Sequence, residues 1–236
     1  MNYLGGYLLF PSTQTYAGLV QAILQAMELT PVDIEVLLPR EGYAVPIATS
    51  LPIEQALVEL GHRGGGINVL DETRPETYWL EPAAGPYSLS NLWVEDEPWF
   101  KPVTGPYPVM NISIAEPALR NQSPYTSIDQ LAERWLRLCE QGHAIYGYFS
   151  RFELRTERDF LDEHIFPHLQ ADDLSQLLED SDENWLVYVG PELAKRWQQE
   201  HIRWPTSWSS PQPFLTHEQP SGAQFIRTSE GVFGEK

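Results

Sequence analysis

His164 and His168 stand four residues apart in ERDFLDEHIFPH, beside Glu157, Asp159, Asp162 and Glu163. On a continuous helix that spacing turns two imidazoles to one side, as helical zinc sites do. A small metal-dependent hydrolase centred on this pair is therefore one reading. Against it, the glutamate of an H-E-x-x-H motif is missing, since residue 165 is Ile. Pro167 falls between the histidines and disturbs a helix through both. No third ligand is signalled, so the stretch reads as a solvated charged face balanced by Arg155 and Arg158, and no metal or cofactor is expected.

Other chemistries fare no better. Gly61-His62-Arg63-Gly64-Gly65-Gly66 has the glycine content of a phosphate cradle, but it follows a helical pattern and precedes a strand, and it lacks the Lys-Ser/Thr of a P-loop. It reads as a turn with Gly61 as the helix cap. No G-x-S-x-G elbow presents a serine. The single cysteine, Cys139, sits on the apolar stripe of AERWLRLCEQ and reads as a buried packing residue. Lone cysteine usage also excludes an intrachain disulfide and a CxxC zinc site. Among 33 carboxylates, no pair is singled out for glycoside chemistry. No catalytic residues are assigned, and an enzyme is the less favoured class.

Two acidic stretches remain. Trp93, Glu95, Asp96, Glu97, Trp99 and Phe100 lie together in LWVEDEPWF. Asp172, Asp173, Glu179, Asp180, Asp182 and Glu183 lie together in ADDLSQLLEDSDE. Carboxylates beside tryptophans suit a protein-binding surface: charge steers a basic partner and aromatics anchor it. The whole composition agrees. With 15 Lys+Arg against 33 Asp+Glu, the chain of 236 residues carries a formal charge of −18. Residues 1–118 hold four of the cations and fourteen of the carboxylates, so no single tail produces the imbalance. Such a surface is unsuited to nucleic-acid phosphates or anionic lipid. A hydrophobic content of 42% is enough to build a core. The start, MNYLGGYLLFPSTQ, lacks a basic n-region and a small-residue cleavage site, and no apolar run approaches a membrane span, so a cytoplasmic location is expected.

The elements that position these residues follow from periodicity. Tyr3 to Phe10 reads as a strand. A helix from Thr15 to Glu28 carries Val20, Ile23, Leu24 and Met27 on one face. Val32 to Leu38 and Tyr43 to Ala48 read as strands, the second at an edge because of Pro46. Ser50 is placed as the cap of a helix bearing Ile53, Ala56, Leu57 and Leu60, and Ile67 to Leu70 closes a β-α-β-β-α-β order. Residues 71–109 hold seven of the twenty prolines, with strands at Tyr78 to Glu81 and Ser88 to Glu95 and an irregular connection at 97–108. The order then repeats. Met110 to Ala115 is a strand; Ser127 and Gln130 form a capping box for a helix with Ile128, Leu131, Trp135 and Leu138 inward and Gly142 at its end. Strands follow at Ala144 to Phe149 and Trp185 to Val189, then a helix from Gly190-Pro191 and a strand at Gln224 to Thr228. His201 to Pro220 reads as an ordered surface loop, because Trp204, Trp208 and Phe214 need cover. The expectation is an α+β protein of two ferredoxin-like halves, residues 1–105 and 106–236, with an acidic, partly helical insertion at 151–184.

Over residues 110–230, the succession SIDQLAERWLRLCEQ, AIYGYFS, WLVYVGPEL and QFIRTSE resembles immunity proteins of bacterial polymorphic-toxin systems. That resemblance implies a non-enzymatic inhibitor of a cognate toxin in the cytoplasm of the producing cell. It defines no functional residues. A scaffold or homodimer built by pairing of sheet edges is the remaining class.

Overall fold

A computed structural model describes residues 3–28, 34–38, 47–52, 54–56, 58, 66–70, 76–81, 107–115, 128–150, 161–171, 174–179, 184–201 and 215–229. Its strands are β1 (Tyr3–Leu9), β2 (Ile34–Leu38), β3 (Ile47–Leu51), β4 (Gly66–Leu70), β5 (Glu76–Glu81), β6 (Val109–Ala115), β7 (Tyr146–Ser150), β8 (Asn184–Val189), β9 (Leu215–Glu218) and β10 (Gln224–Arg227). The helices are α1 (Tyr16–Ala26), α2 (Ile128–Gln141), α3 (Phe166–Ala171), α4 (Leu174–Glu179) and α5 (Pro191–Gln199), with a π-helical turn at Leu161–Ile165 leading into α3. The strands form one ten-stranded sheet in the order β3-β2-β4-β5-β6-β1-β7-β8-β10-β9. Every neighbouring pair is antiparallel.

The α+β class holds, but the two ferredoxin-like halves do not form. A split βαβ unit would seat the first strand among the strands of its own half. Instead β1 lies between β6 and β7 and pairs with both. Because β6 and β7 each run antiparallel to β1, they are parallel to each other and are joined through α2, so the split βαβ arrangement exists once, with β1 as the strand inserted in it. Ser50, expected to cap a helix, is a β3 residue opposite Glu35. Of the strand expected at 43–48, residues 47 and 48 lie in β3, which is at the end of the sheet among the described residues, and 43–46 lie outside the described residues. The strand expected at Ser88 to Glu95 lies outside the described residues.

Both faces of the central strands are covered. On one face α1 and α2 pack together over Leu8, Phe10, Met110, Ile112, Ile114, Phe149, Leu186, Tyr188 and Phe225. α1 begins where Thr15, in extended backbone, accepts a hydrogen bond from Gly18 N at 3.2 Å, and it buries Leu19, Val20, Ile23, Ala26 and Met27. α2 buries Leu131, Ala132, Trp135, Leu138 and Cys139, the stripe its spacing predicts. Arg134 and Arg137 of α2 clasp Glu28 at the end of α1, at 3.1 and 3.0 Å. These guanidiniums, Arg137 foremost, hold the Glu28 carboxyl below its ordinary pKa. On the other face lie Tyr7, Leu9, Tyr146, Tyr148, Val187, Val189 and Ile226. Leu161, Ile165, Phe166 and Leu177 from the insertion and Ala194 from α5 cover them. The insertion is thus part of the core.

Alternation along β8 is broken once. Ser150 pairs with Asn184 while Phe149 pairs with Leu186, which leaves Trp185 as a bulged residue. The bulge lets Trp185 join Leu186 in the same core and stack edge-on against Phe149, with centroids 5.4 Å apart. At the end of α2 it is His143, with φ 53°, that adopts the left-handed conformation expected of Gly142. Gly142 is needed for another reason: a Cβ there would lie 2.5 Å from a ring carbon of Phe10.

Candidate interaction surface and the polar end of the sheet

Trp93, Glu95, Asp96, Glu97 and Trp99 lie outside the described residues, as do Asp172, Asp173, Asp180, Asp182 and Glu183. Glu179 is the last residue of α4. His164 is exposed in the π-helical turn, whereas His168 is half-buried in α3. Pro167 becomes the second residue of α3, where its missing N–H is of no consequence. The proline is accommodated by interrupting the regular helix between the two histidines. Among the described residues, no group of three His, Cys, Asp or Glu side chains could hold a metal ion. Cys139 is fully buried, and burial pushes its thiol pKa well up, the opposite of what a nucleophile needs.

The arginines are engaged internally. All four among the described residues are ion-paired: Arg134 and Arg137 with Glu28, Arg196 with Glu200 at 3.3 Å, and Arg227 with Asp129 at 2.7 Å. The four guanidiniums are set against three carboxylates, those of Glu28, Glu200 and Asp129. Glu54, Glu133, Glu163, Glu192 and Glu218 are exposed. Arg134, Arg137 and Arg227 thus tie elements together, Arg196 pairs along its own helix, and Lys195 is exposed along with these carboxylates.

Among the described residues, the buried polar and charged side chains gather at one end of three adjacent strands. Ser150 ends β7, Asn184 begins β8, and Arg227, Thr228 and Ser229 lie at the end of β10. Arg227 stacks its guanidinium over the Trp185 ring at 5.6 Å. Its Nε donates to the Ser229 carbonyl at 3.1 Å, and an Nη donates to Asp129 in the first turn of α2. Thr228 donates its hydroxyl to the Asn184 carbonyl, and its backbone N–H reaches the Trp185 carbonyl at 3.0 Å. Sequence reading did not find this group, although QFIRTS is its signal: an arginine and two hydroxyls closing a buried strand. The arrangement joins α2, β8 and β10.

Within it, neither Nδ2 nor Oδ1 of Asn184 has a hydrogen-bond partner, although the residue is only 1% exposed. An unpaired buried amide costs about 1–3 kcal/mol. Asn184→Val, which removes those atoms and suits a strand, is expected to leave stability unchanged or raise it by about 1 kcal/mol. Denaturant midpoints of the two proteins check this; a loss of comparable size would show that the amide is paired in solution.

A second polar contact closes the opposite end. The buried Tyr188 hydroxyl donates to Glu140 at 2.6 Å, and Ser221, in the β9–β10 turn, donates to the same oxygen at 3.0 Å. Burial, with the Glu140 carboxylate beside it, raises the Tyr188 pKa far above its ordinary value. Above about pH 10 the unfolded chain loses this proton while the folded chain keeps it, so stability present at neutral pH is lost as pH rises past that point. Tyr188→Phe is expected to cost about 1–2 kcal/mol at pH 7 and to flatten the alkaline limb of a stability–pH curve. An alkaline limb of unchanged slope would refute the assignment.

Among the described residues, no helix is long and apolar enough to cross a membrane. No protein-family model matches the chain, and no curated protein matches it. A solved structure, the Pseudomonas aeruginosa T6SS protein PA0821, is similar at a TM-score of 0.43 and 11% identity, over 100% of this chain and 70% of that one.

Proposed function

We propose that this chain is a non-enzymatic binding protein, an immunity-type inhibitor that occludes a basic toxin or effector domain in the cytoplasm of the producing cell. The observation that carries the reading is the distribution of charge. The chain bears −18, and each described arginine is held against a carboxylate. An acidic body of this kind attracts a basic domain from a distance and repels nucleic acid. Glu95, Asp96 and Glu97, with Asp172, Asp173, Glu179, Asp180, Asp182 and Glu183, supply the steering charge, and Trp93 and Trp99 supply the anchors that set the lifetime of the complex. Inhibition needs no chemistry from this chain, only coverage of the partner's active surface.

Co-expression tests it. A basic toxin domain encoded beside this gene should arrest growth alone, and growth should recover when this chain is made with it. Stoichiometric zinc or manganese in the purified protein, lost in His164→Ala or His168→Ala together with a hydrolytic activity, would overturn the reading in favour of an enzyme.

A further inference from the structure

Among the described residues the sheet ends at β9, whose strand neighbour there is β10 alone. All four of its residues are exposed, Leu215 at 43%. Residues on both faces of this strand are exposed, in contrast to β7 and β8, which are buried throughout. Gln219 N donates to the Ala223 carbonyl at 2.8 Å, just beyond the pair Glu218–Gln224. Hydrogen-bonded and non-hydrogen-bonded pairs alternate along an antiparallel ladder. Glu218–Gln224 is therefore a non-hydrogen-bonded pair, His217–Phe225 a bonded one and Thr216–Ile226 a non-bonded one. The N–H and C=O groups of Thr216 and Glu218 consequently point away from β10, toward the side on which β9 has no strand neighbour among the described residues. Such a row is a template for another extended strand.

We propose that the open edge of β9 takes an extended basic segment of the partner by strand addition. This deepens, and rests on, the reading of the chain as a binder of a basic protein. Charge selects the occupant. The edge strand carries Glu218, and the hairpin's cation, Arg227, is ion-paired with Asp129. A second copy of the chain would bring another −18 to the same edge. A lysine-rich strand gains attraction along with the ladder bonds.

The probe is a short labelled peptide of alternating lysine and threonine, with an alternating glutamate and threonine peptide as its counterpart. Saturable binding of the lysine peptide at low salt is expected, with slowed amide exchange at Thr216 and Glu218. Thr216→Pro removes an outward N–H and leaves the β9–β10 bonds in place; it should weaken binding about tenfold or more. Should that variant fail to fold, the lysine peptide N-methylated at alternate residues serves instead, and it should lose binding to the unaltered protein. Equal binding of the glutamate peptide, or binding indifferent to both Thr216→Pro and N-methylation, would overturn the proposal. So would a dimer by light scattering that Thr216→Pro abolishes. Relief of toxin arrest that persists undiminished in Thr216→Pro would sink the edge site and leave the inhibitor reading standing. Failure of relief by the unaltered protein would sink the inhibitor reading itself.

Discussion

Gly6→Ala is expected to cost about 3 kcal/mol or more, at the upper end for overpacked sites and a large share of an ordinary domain's stability. Gly6 lies on β1, opposite Phe149 of β7 and Ile112 of β6. A Cβ added there would sit 1.8 Å from the Tyr148 carbonyl oxygen and 2.7 Å from the Phe149 Cα. Both are backbone atoms, so no rotamer change makes room. β1 cannot retreat, because β6 holds its other edge and helices cover both faces. The added methyl must therefore separate β1 from β7, and with them the two parts of the sheet. Gly18→Ala is the matched control. That glycine is in α1, and its Cβ would meet nothing closer than the Thr15 hydroxyl at 3.3 Å. Alanine's higher helix propensity should make that variant neutral or up to about 1 kcal/mol more stable. Denaturant unfolding of both variants is the measurement. Gly6→Ala with a midpoint close to that of the unaltered protein would mean that β1 and β7 do not approach as described.

The Gly5-Gly6 pair illustrates what was legible. Glycine inside a strand pattern signals close approach of another backbone, and that signal was present in YLGGYLLF. It says nothing about which backbone approaches. The same division runs through the molecule. Strand and helix segments with strong alternation or a 3.6-residue stripe, such as β1, α1, α2, β8 and α5, fall where their spacing puts them, because burial imposes that spacing on the sequence. Pairing is a long-range choice that leaves no local mark, so the insertion of β1 between β6 and β7 was invisible and two separate halves were expected. β9 was missed for the converse reason: Leu215, Thr216, His217 and Glu218 are all exposed, so no burial pattern was there to read. The insertion was misjudged through its charges. ERDFLDEHIFPH looks solvated, but Leu161, Ile165 and Phe166 form a narrow apolar stripe between the acids, and that stripe closes the second core. Of the candidate surface, Glu179 alone is placed, at the end of α4. Acidic surface residues carry no periodicity, and which of them share a face is decided by loops.

On the proposed function, association with a basic partner should slow by on the order of 10–10³-fold between roughly 10 mM and 0.5 M salt, with the dissociation rate nearly unchanged. The Debye length shrinks from about 30 Å at 0.01 M to about 3 Å at 1 M, so steering by dispersed carboxylates is lost while contacts sealed within the interface persist. The chain is built to show the effect strongly. Its described arginines are paired with carboxylates, and the −18 is spread over both parts of the sequence. Replacing Glu95, Asp96 and Glu97 by Gln should reduce the association rate and the slope of its logarithm against salt together. Trp93→Ala or Trp99→Ala should instead raise the dissociation rate and leave the slope alone, since an anchor acts after encounter. Neutralising Glu179, Asp180, Asp182 and Glu183 in addition decides whether the two clusters act on one partner. If both face it, the effects on the logarithm of the association rate add; if only the first does, the second set has little effect at 0.15 M salt, where the Debye length is about 8 Å. Association indifferent to salt would remove electrostatic steering from the mechanism and leave shape and apolar contact to account for recognition.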